Sequence, residues 1–470
     1  MSVIYRIPEE YFYRIHHIRP RFKRDVENVL VYMASEISSI PKSLKRNFMS
    51  AVNSSVRQFP GNASKSPKTI DNWRTEISSL FGLILFDKNR QMYESSMIAQ
   101  RLANSQDLVE FFKYFLFFFQ YPGGHLRPDE VISFIRSGIK FKPAVYILKL
   151  LKYGEENENP SFGINKAETT HCIFNDLRVT RDNRPVSEVY NLISNNRNSK
   201  MDYDRKPHVT RYAKDILDYM ELADLVKLRR NGQYVINHNA VQSIDAFITQ
   251  SPTFDEYDIF YNMSEVPIEE VSNVNNNWFY FVNSQIGDDL FKTDLVEYLQ
   301  GVKENASIAI SAMIDDFLGQ MGAGNISTKQ IGNYGENIAI VHEKNRLKVG
   351  GREDIRHKVQ KIPDNLGVGY DILSAELDET QRFVEVKTTI SKNRIVLKQF
   401  HLTTNEWVSA EGHGEKYFIY RIMVNENDIK LFVIQDPVRK YKTDSLKMVP
   451  RDGADVTFNY EIGEWQDLLL

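Results

Sequence analysis

Val368-Gly-Tyr-Asp-Ile-Leu-Ser-Ala375 and Arg382-Phe-Val-Glu-Val-Lys-Thr-Thr389 are the stretches on which the reading of this 470-residue chain turns. Both are strand-like, and the polar Glu376-Leu-Asp-Glu-Thr-Gln381 between them reads as a turn. Asp371 and Glu385 each lie seven residues from Asp378. A symmetric antiparallel hairpin centred there sets the two carboxylates opposite each other, Cβ atoms about 5 Å apart. Glu385 and Lys387 are two apart and share a strand face with Phe383, whereas Val384 and Val386 point the other way.

Opposed carboxylates repel unless a cation or proton lies between them. An all-oxygen pair suits a hard cation such as Mg²⁺, with Mn²⁺ able to substitute. A neighbouring lysine supplies a compact positive charge for a water or a phosphate oxygen. Together these parts suit metal-assisted phosphodiester hydrolysis. In that scheme Asp371 and Glu385 hold the metal, and Lys387 orients the attacking water or accepts its proton. E-x-K alone is short and common, and such a cluster is equally the chemistry of a surface salt bridge.

The surroundings add to the pattern. Gly332-Asn-Tyr-Gly-Glu-Asn-Ile-Ala-Ile-Val-His-Glu-Lys-Asn345 predicts a helix that carries Glu336, a candidate to orient Lys387 or reach a second metal. The strand-like run 394–402 precedes Thr403-Thr404-Asn405-Glu406-Trp407, where Thr403 and Glu406 match a capping box. That box gives Glu406 a structural explanation, preferred over a catalytic one. Runs 416–424 and 430–437 add two strands. Helix, strands, helix, strands describes a small α/β or α+β domain with a mixed central sheet.

Upstream, residues 251–320 carry thirteen Asp/Glu against two Lys/Arg, a net of -11. The whole chain is -3, so the remainder carries +8. Residues 1–60 alone hold ten basic and five acidic residues. The acidic segment, with helical periodicity over Asp294–Leu318, predicts a partly helical linker at 251–325. It separates an N-terminal region from a C-terminal domain at 326–470.

The N-terminal region contains an internal echo. Helix Ile70–Phe81, strand Leu83–Phe86, a turn, a strand and a helix recur as helix Val209–Met220, strand Val226–Arg229, turn Asn231-Gly232, strand Tyr234–Ile236 and a helix. Asn-Gly between short apolar runs signals a hairpin. A helix followed by a hairpin is the back half of a winged helix, a module that sets a helix in the major groove and a wing on the backbone. This predicts two winged-helix-like modules, at 1–106 and 107–250. The candidate DNA-facing residues are Lys65, Lys68 and Arg74 in the first copy, and Arg205, Lys206, Arg211, Arg229 and Arg230 in the second.

Other functions are excluded or disfavoured. The single cysteine, Cys172, allows no internal disulfide or thiolate zinc cluster. The ten histidines show no zinc-protease or zinc-finger spacing. Gly123-Gly124 and Gly350-Gly351 lack the phosphate-loop lysine and read as turns, so no ATPase motor is encoded. Phe111–Phe119 is too short for a membrane helix and reads as a buried one. The start of the chain has no apolar signal core, which points to a cytoplasmic protein.

At Gly-Asn-Tyr-Gly-Glu336, Gly-Tyr-Asp371-Ile, Phe-Val-Glu385-Val-Lys387 and His-Leu-Thr-Thr-Asn-Glu406-Trp, followed by Lys-Tyr-Phe-Ile-Tyr-Arg-Ile, the chain resembles a PD-(D/E)xK nuclease domain. More narrowly, it is similar to the Mrr- and McrBC-like C-terminal domain of restriction proteins and of plant NO VEIN. The resemblance spans about residues 326–440. It implies that Asp371, Glu385 and Lys387 bind metal and do the chemistry, with Glu336 as the helical glutamate. Tyr370 replaces the proline of the family's Pro-Asp pair. The segment 60–250, through 107–122 and 141–154, resembles the recognition region of type IIS restriction and nicking enzymes of the AlwI group. This implies a recognition module fused to a separate cleavage module.

The expectation is a restriction-type, Mg²⁺-dependent endonuclease acting on double-stranded DNA at a specific site, modified or unmodified. Cutting both strands calls for a homodimer, a transient dimer or a second binding event. A methyltransferase or a defence-system subunit is the expected protein partner; a membrane is not. Two alternatives stay open: a nuclease subunit of a multi-protein anti-phage system, and a DNA-binding regulator with an inactive nuclease-like domain.

Overall fold

The computed structural model describes residues 3–19, 22, 26–59, 61–158, 162–284, 290–291, 334–363, 366–391, 399–425, 429–451 and 453–469. The chain forms two compact units. The first comprises Met1–Val26, Glu36–Gln100 and Val109–Lys292; the second comprises Glu27–Ser35, Arg101–Leu108 and Thr293–Leu470.

Both copies of the echo are helix–hairpin–helix. In the first, β1 (Ser43–Leu44) is followed by α1 (Pro67–Thr75), β2 (Ile84–Asp87), β3 (Met92–Ser95) and α2 (Met97–Ser105). Then comes α3 (Leu108–Phe118). The second copy has β4 (Ile164–Asn165), α4 (Pro207–Leu222), β5 (Val226–Leu228), β6 (Gln233–Ile236) and α5 (Val241–Gln250). The likeness goes beyond the sequence expectation. Each hairpin gains a two-residue upstream strand on its second strand, giving the orders β1-β3-β2 and β4-β6-β5.

Local chemistry explains the turns. Ser66 caps α1 by accepting from the Thr69 amide, with Pro67 in the first turn. Asp87 closes the first hairpin by accepting from the amides of Asn89 and Arg90, at 3.0 and 3.1 Å. In the second, Gly232 takes φ +81°, which the turn requires.

The aromatic helix α3 is the hub of this unit. Phe112 and Phe117 are fully buried, and Phe112 stacks on Tyr219 of α4 with centroids 5.7 Å apart. An all-round apolar helix belongs inside a core. Among the described residues no helix is long and apolar enough to cross a membrane.

One expectation needs correction here. The first unit runs on to Lys292, so the opening of the acidic segment is packed structure rather than linker. Phe254, Tyr257, Phe260 and, on α6 (Ile268–Phe281), Val271 and Trp278 are buried. Their apolar burial outweighs the local acidic excess, part of which is paired: Lys140 binds Asp255 and Asp258 at 3.0 and 2.8 Å. The expected helix over Asp294–Leu318 lies outside the described residues. Gly123 and Gly124 lie in the expected turn, which the Leu126 amide closes on the Gly123 carbonyl at 3.0 Å, and they also lie under Trp278. A Cβ on either would come within 2.8 Å of that side chain.

The second unit has a six-stranded sheet with order β15-β12-β11-β9-β8-β7. Helix α7 (Tyr334–Val349) leads into β7 (Gln360–Lys361), β8 (Ile372–Ala375) and β9 (Gln381–Ile390). After β10 (Gln399–Leu402) and α8 (Thr404–His413) come β11 (Tyr417–Val424) and β12 (Ile429–Gln435). The sheet is mixed: β11 runs parallel to β9, and the other pairings are antiparallel. The sequence pattern predicts strands only as far as residue 437. Beyond it, β13 (Leu446–Arg451) and β14 (Gly453–Phe458) join β10 in a second sheet, and β15 (Glu464–Gln466) edges the first.

Helix α7 packs on one face, so closely that a Cβ on Gly335 would sit 1.6 Å from the Thr388 hydroxyl. The opposite face carries a core that includes Phe383, Phe400, Leu402, Ala410, Tyr417 and Ile419. The hairpin register matches the expected centre. Ile372 pairs with Val384 and Ala375 with Gln381, and Asp371 lies one residue before the paired stretch, its amide donating to the Val384 carbonyl at 2.9 Å. The first strand is shorter than expected, starting at Ile372 rather than Val368. Gly367 and Gly369 take φ +57° and +78°, bending the chain onto α8 before Asp371.

Candidate active site and nucleic-acid interface

Strand β9 presents Phe383, Glu385 and Lys387 on one face. Glu385 is buried, with 3 % of its surface exposed. Its Oε1 lies 2.6 Å from Lys387 Nζ. Lys387 Nζ also donates to Glu406 Oε2 at 2.9 Å. Asp371 Oδ2 accepts from the backbone N–H of Val386, between those two residues, at 2.7 Å. The loop carrying Asp371 is held from two sides. Tyr417 donates to the Gly369 carbonyl at 2.8 Å, and Gly369 abuts Asn405 of α8.

Sequence reasoning assigned Glu406 to a capping box, and that box is present. Glu406 Oε2 accepts from the Thr403 amide at 3.0 Å, and the Glu406 amide donates to Thr403 Oγ1 at 3.3 Å. The same oxygen of Glu406 also holds Lys387. The cap and the candidate centre therefore share one carboxylate, which the sequence reading had placed outside the centre. Lys387 and Glu406 are nineteen positions apart, and the sequence between them gives no sign of this.

Burial, together with the charges of Asp371 and Glu406, pushes the Glu385 carboxyl well above the usual range, against the pull of Lys387. Burial alone would lower the Lys387 amine, but Glu385 and Glu406 outweigh it and hold the amine above its ordinary value. Two carboxylates thus hold one ammonium, and the charge of Asp371 acts on Glu385 beside them. The excess negative charge calls for a further cation or a proton. Among the described residues no three His, Cys, Asp or Glu side chains form a ready-made metal cluster. Asp371 and Glu385 are a two-carboxylate set, which fits a Mg²⁺ that keeps several waters. Glu336, on the first turn of α7, forms an ion pair with Lys361 of β7 at 3.0 Å.

In the first unit, Lys65 and Lys68 are exposed at the start of α1. Arg74 is engaged inside the unit, with Asn53 and Asp71 both at 3.1 Å. Arg205 and Lys206 are exposed beside the start of α4, near Asp202 and Asp204 at 3.3 and 3.9 Å. Arg229 and Arg230 are exposed at the β5–β6 turn. Lys88 and Arg90 are exposed at the β2–β3 turn, which makes both hairpin tips basic.

Arg211 lies over the Tyr212 ring, 4.7 Å from its centroid. Arg14 and Arg19 approach the same ring at 5.7 and 5.9 Å. Arg14 donates to the His208 carbonyl, and Arg19 forms a two-point pair with Asp215. The sequence reading missed these two arginines; its one hint was the basic excess of residues 1–60.

Comparison with known proteins finds two family matches. Residues 5–279 match the N-terminal domain of restriction endonuclease BpuJI, and residues 335–434 match the C-terminal domain of protein NO VEIN. No curated protein matches. Among solved structures, the BpuJI endonuclease binding domain in complex with pyrene- and phenanthrene-modified DNA superposes with a TM-score of 0.52 at 24 % identity. The alignment covers 58 % of this chain and 99 % of that one. Restriction endonuclease FokI bound to DNA aligns at a TM-score of 0.19 and 10 % identity, over 79 % of this chain and 73 % of that one, and carries no argument. The match over 5–279 takes in more than half of the sequence, and the chain belongs to the family of the BpuJI restriction endonuclease N-terminal domain.

Proposed function

We propose that this protein is a restriction-type DNA endonuclease that hydrolyses phosphodiester bonds with Mg²⁺ at a specific double-stranded site. The observation that carries this reading is the Asp371–Glu385–Lys387–Glu406 cluster around the buried Glu385, in one chain with a BpuJI-type recognition domain. The two helix–hairpin–helix modules, each with its third strand, serve as winged helices. Basic residues at the hairpin tips and around Tyr212 meet the phosphate backbone. The mixed sheet with its E-x-K strand serves as a PD-(D/E)xK nuclease core.

Asp371 and Glu385 would hold the metal, which when bound supplies Lewis acidity toward the scissile phosphate and a more acidic water. The Val386 N–H orients the Asp371 carboxylate. Lys387, with a carboxylate on each side, acts as a donor to a water or a phosphate oxygen. Glu336 supports the edge of the site through Lys361. One such centre cuts one strand, so a double-strand break needs a second copy or a second binding event. A plasmid-nicking assay tests the proposal. Cleavage with Mg²⁺, stopped by EDTA, is expected. DNA binding without cleavage in Mg²⁺ or Mn²⁺ would overturn it.

A further inference from the structure

The geometry points to Glu406 as a positioning residue for Lys387, so that the capping box of α8 is also the scaffold of the cleavage centre. This inference rests on the nuclease reading above. Lys387 sits on a flexible four-carbon stem, and its ammonium has three donors. Two are committed, one to Glu385 at 2.6 Å and one to Glu406 at 2.9 Å. The two acceptors are not equivalent. Glu385 is one of the two carboxylates that would turn toward a metal. Glu406 is tied down by its own helix, because its Oε2 also accepts the Thr403 N–H and its backbone N–H donates to the Thr403 hydroxyl. A capping-box glutamate has its rotamer set by the start of the helix. It therefore holds the ammonium from the side of α8 while Glu385 serves the metal, and leaves the third donor free for the reacting phosphate or water.

The test uses the full chain and three variants. Glu406→Ala removes the hold on Lys387 and half of the capping box. Glu406→Gln keeps a side-chain oxygen that can accept from both Lys387 and Thr403. Thr403→Ala weakens the helix start but keeps the backbone N–H that Glu406 uses. At saturating DNA and Mg²⁺, Glu406→Ala should lower the single-turnover cleavage rate by about 10- to 100-fold, the usual loss when a supporting partner of a metal site is removed. Glu406→Gln should recover most of that loss, and Thr403→Ala, which removes one of the two ties on Glu406 and leaves the backbone one, should lose clearly less than Glu406→Ala. DNA affinity should not change in any of them.

A crystal structure of Glu406→Ala supplies a readout independent of activity. Lys387 Nζ should leave its position beside α8 and keep Glu385 alone. Wild-type cleavage by Glu406→Ala would overturn the inference, as would an equal loss in Thr403→Ala or an unmoved Lys387. If the wild-type chain does not cut at all, the nuclease reading fails, and the position of Lys387 in the variant still decides the claim about Glu406.

Discussion

Replacing Gly369 with alanine should damage the second unit through one atom. Gly369 has φ +78°, and an added Cβ would lie 2.3 Å from the Asn405 carbonyl oxygen and 2.8 Å from Ser409 Cβ. A left-handed backbone costs a non-glycine residue about 1–2 kcal/mol. Overpacking against backbone atoms adds about 1–3 kcal/mol, since a carbonyl cannot rotate away as a flexible side-chain end can. The expected loss is about 2–5 kcal/mol by the sum of those two terms. To regain ordinary contact the loop must move by about 1 Å, and Asp371 is two residues on. A misplacement of that size at a reacting centre costs about 100-fold in rate.

The assay is urea unfolding of the full chain, followed through the second unit, alongside cleavage in Mg²⁺. Gly412→Ala is the control. Gly412 lies within the same helix α8, and a Cβ there meets nothing within 4 Å. Its replacement should be neutral or gain about 0.5–1 kcal/mol from helix propensity. If Gly369→Ala unfolds at the wild-type urea concentration, the claim that α8 clamps the Asp371 loop is refuted.

Three further outcomes follow from the same structure. His342 is buried, its Nδ1 accepts from the Leu469 amide at 3.1 Å, and burial lowers its pKa to about 4. The unfolded chain takes up a proton near pH 6.5 and the folded chain only near 4, so stability falls as pH drops through that window. The loss is about 3 kcal/mol by linkage, and His342→Gln should flatten it in unfolding titrations. Glu343 is fully buried and accepts from Arg346, Ser374 and Tyr420, with Arg382 at 3.7 Å. Glu343→Ala should cost about 3–5 kcal/mol in urea unfolding, because it strips buried cations of a partner. On the DNA side, Arg211→Ala and Arg14→Ala should each weaken binding and lower the salt slope of the binding constant by about one. An unchanged slope would remove those two residues from the interface.

The sequence disclosed what short-range patterns encode. The E-x-K hairpin was legible because side chains alternate with period two and the turn is symmetric, so counting from Asp378 gives the register in which Ile372 pairs with Val384. The two helix–hairpin–helix copies were legible from Asn231-Gly232 and from repeated helix spacing. The missing pieces depend on distant partners. Ser43–Leu44 and Ile164–Asn165 are too short to show a period, and become strands only because β3 and β6 pair with them. Glu406 satisfied a local rule as a cap, and that rule concealed its contact with Lys387. Arg14 and Arg19 reach Tyr212 from about 200 residues away, and Trp278 lies on Gly123 and Gly124 across 154 residues of chain.

The central claim is that Asp371, Glu385 and Lys387 cut DNA that a BpuJI-type domain has bound. The most direct measurement is cleavage and binding of the same DNA by the wild-type chain and by Asp371→Ala and Lys387→Ala, in Mg²⁺ and in EDTA. The account predicts cleavage by the wild-type chain in Mg²⁺ only, no cleavage by either variant, and wild-type affinity in all three. Full cleavage by either variant would contradict it.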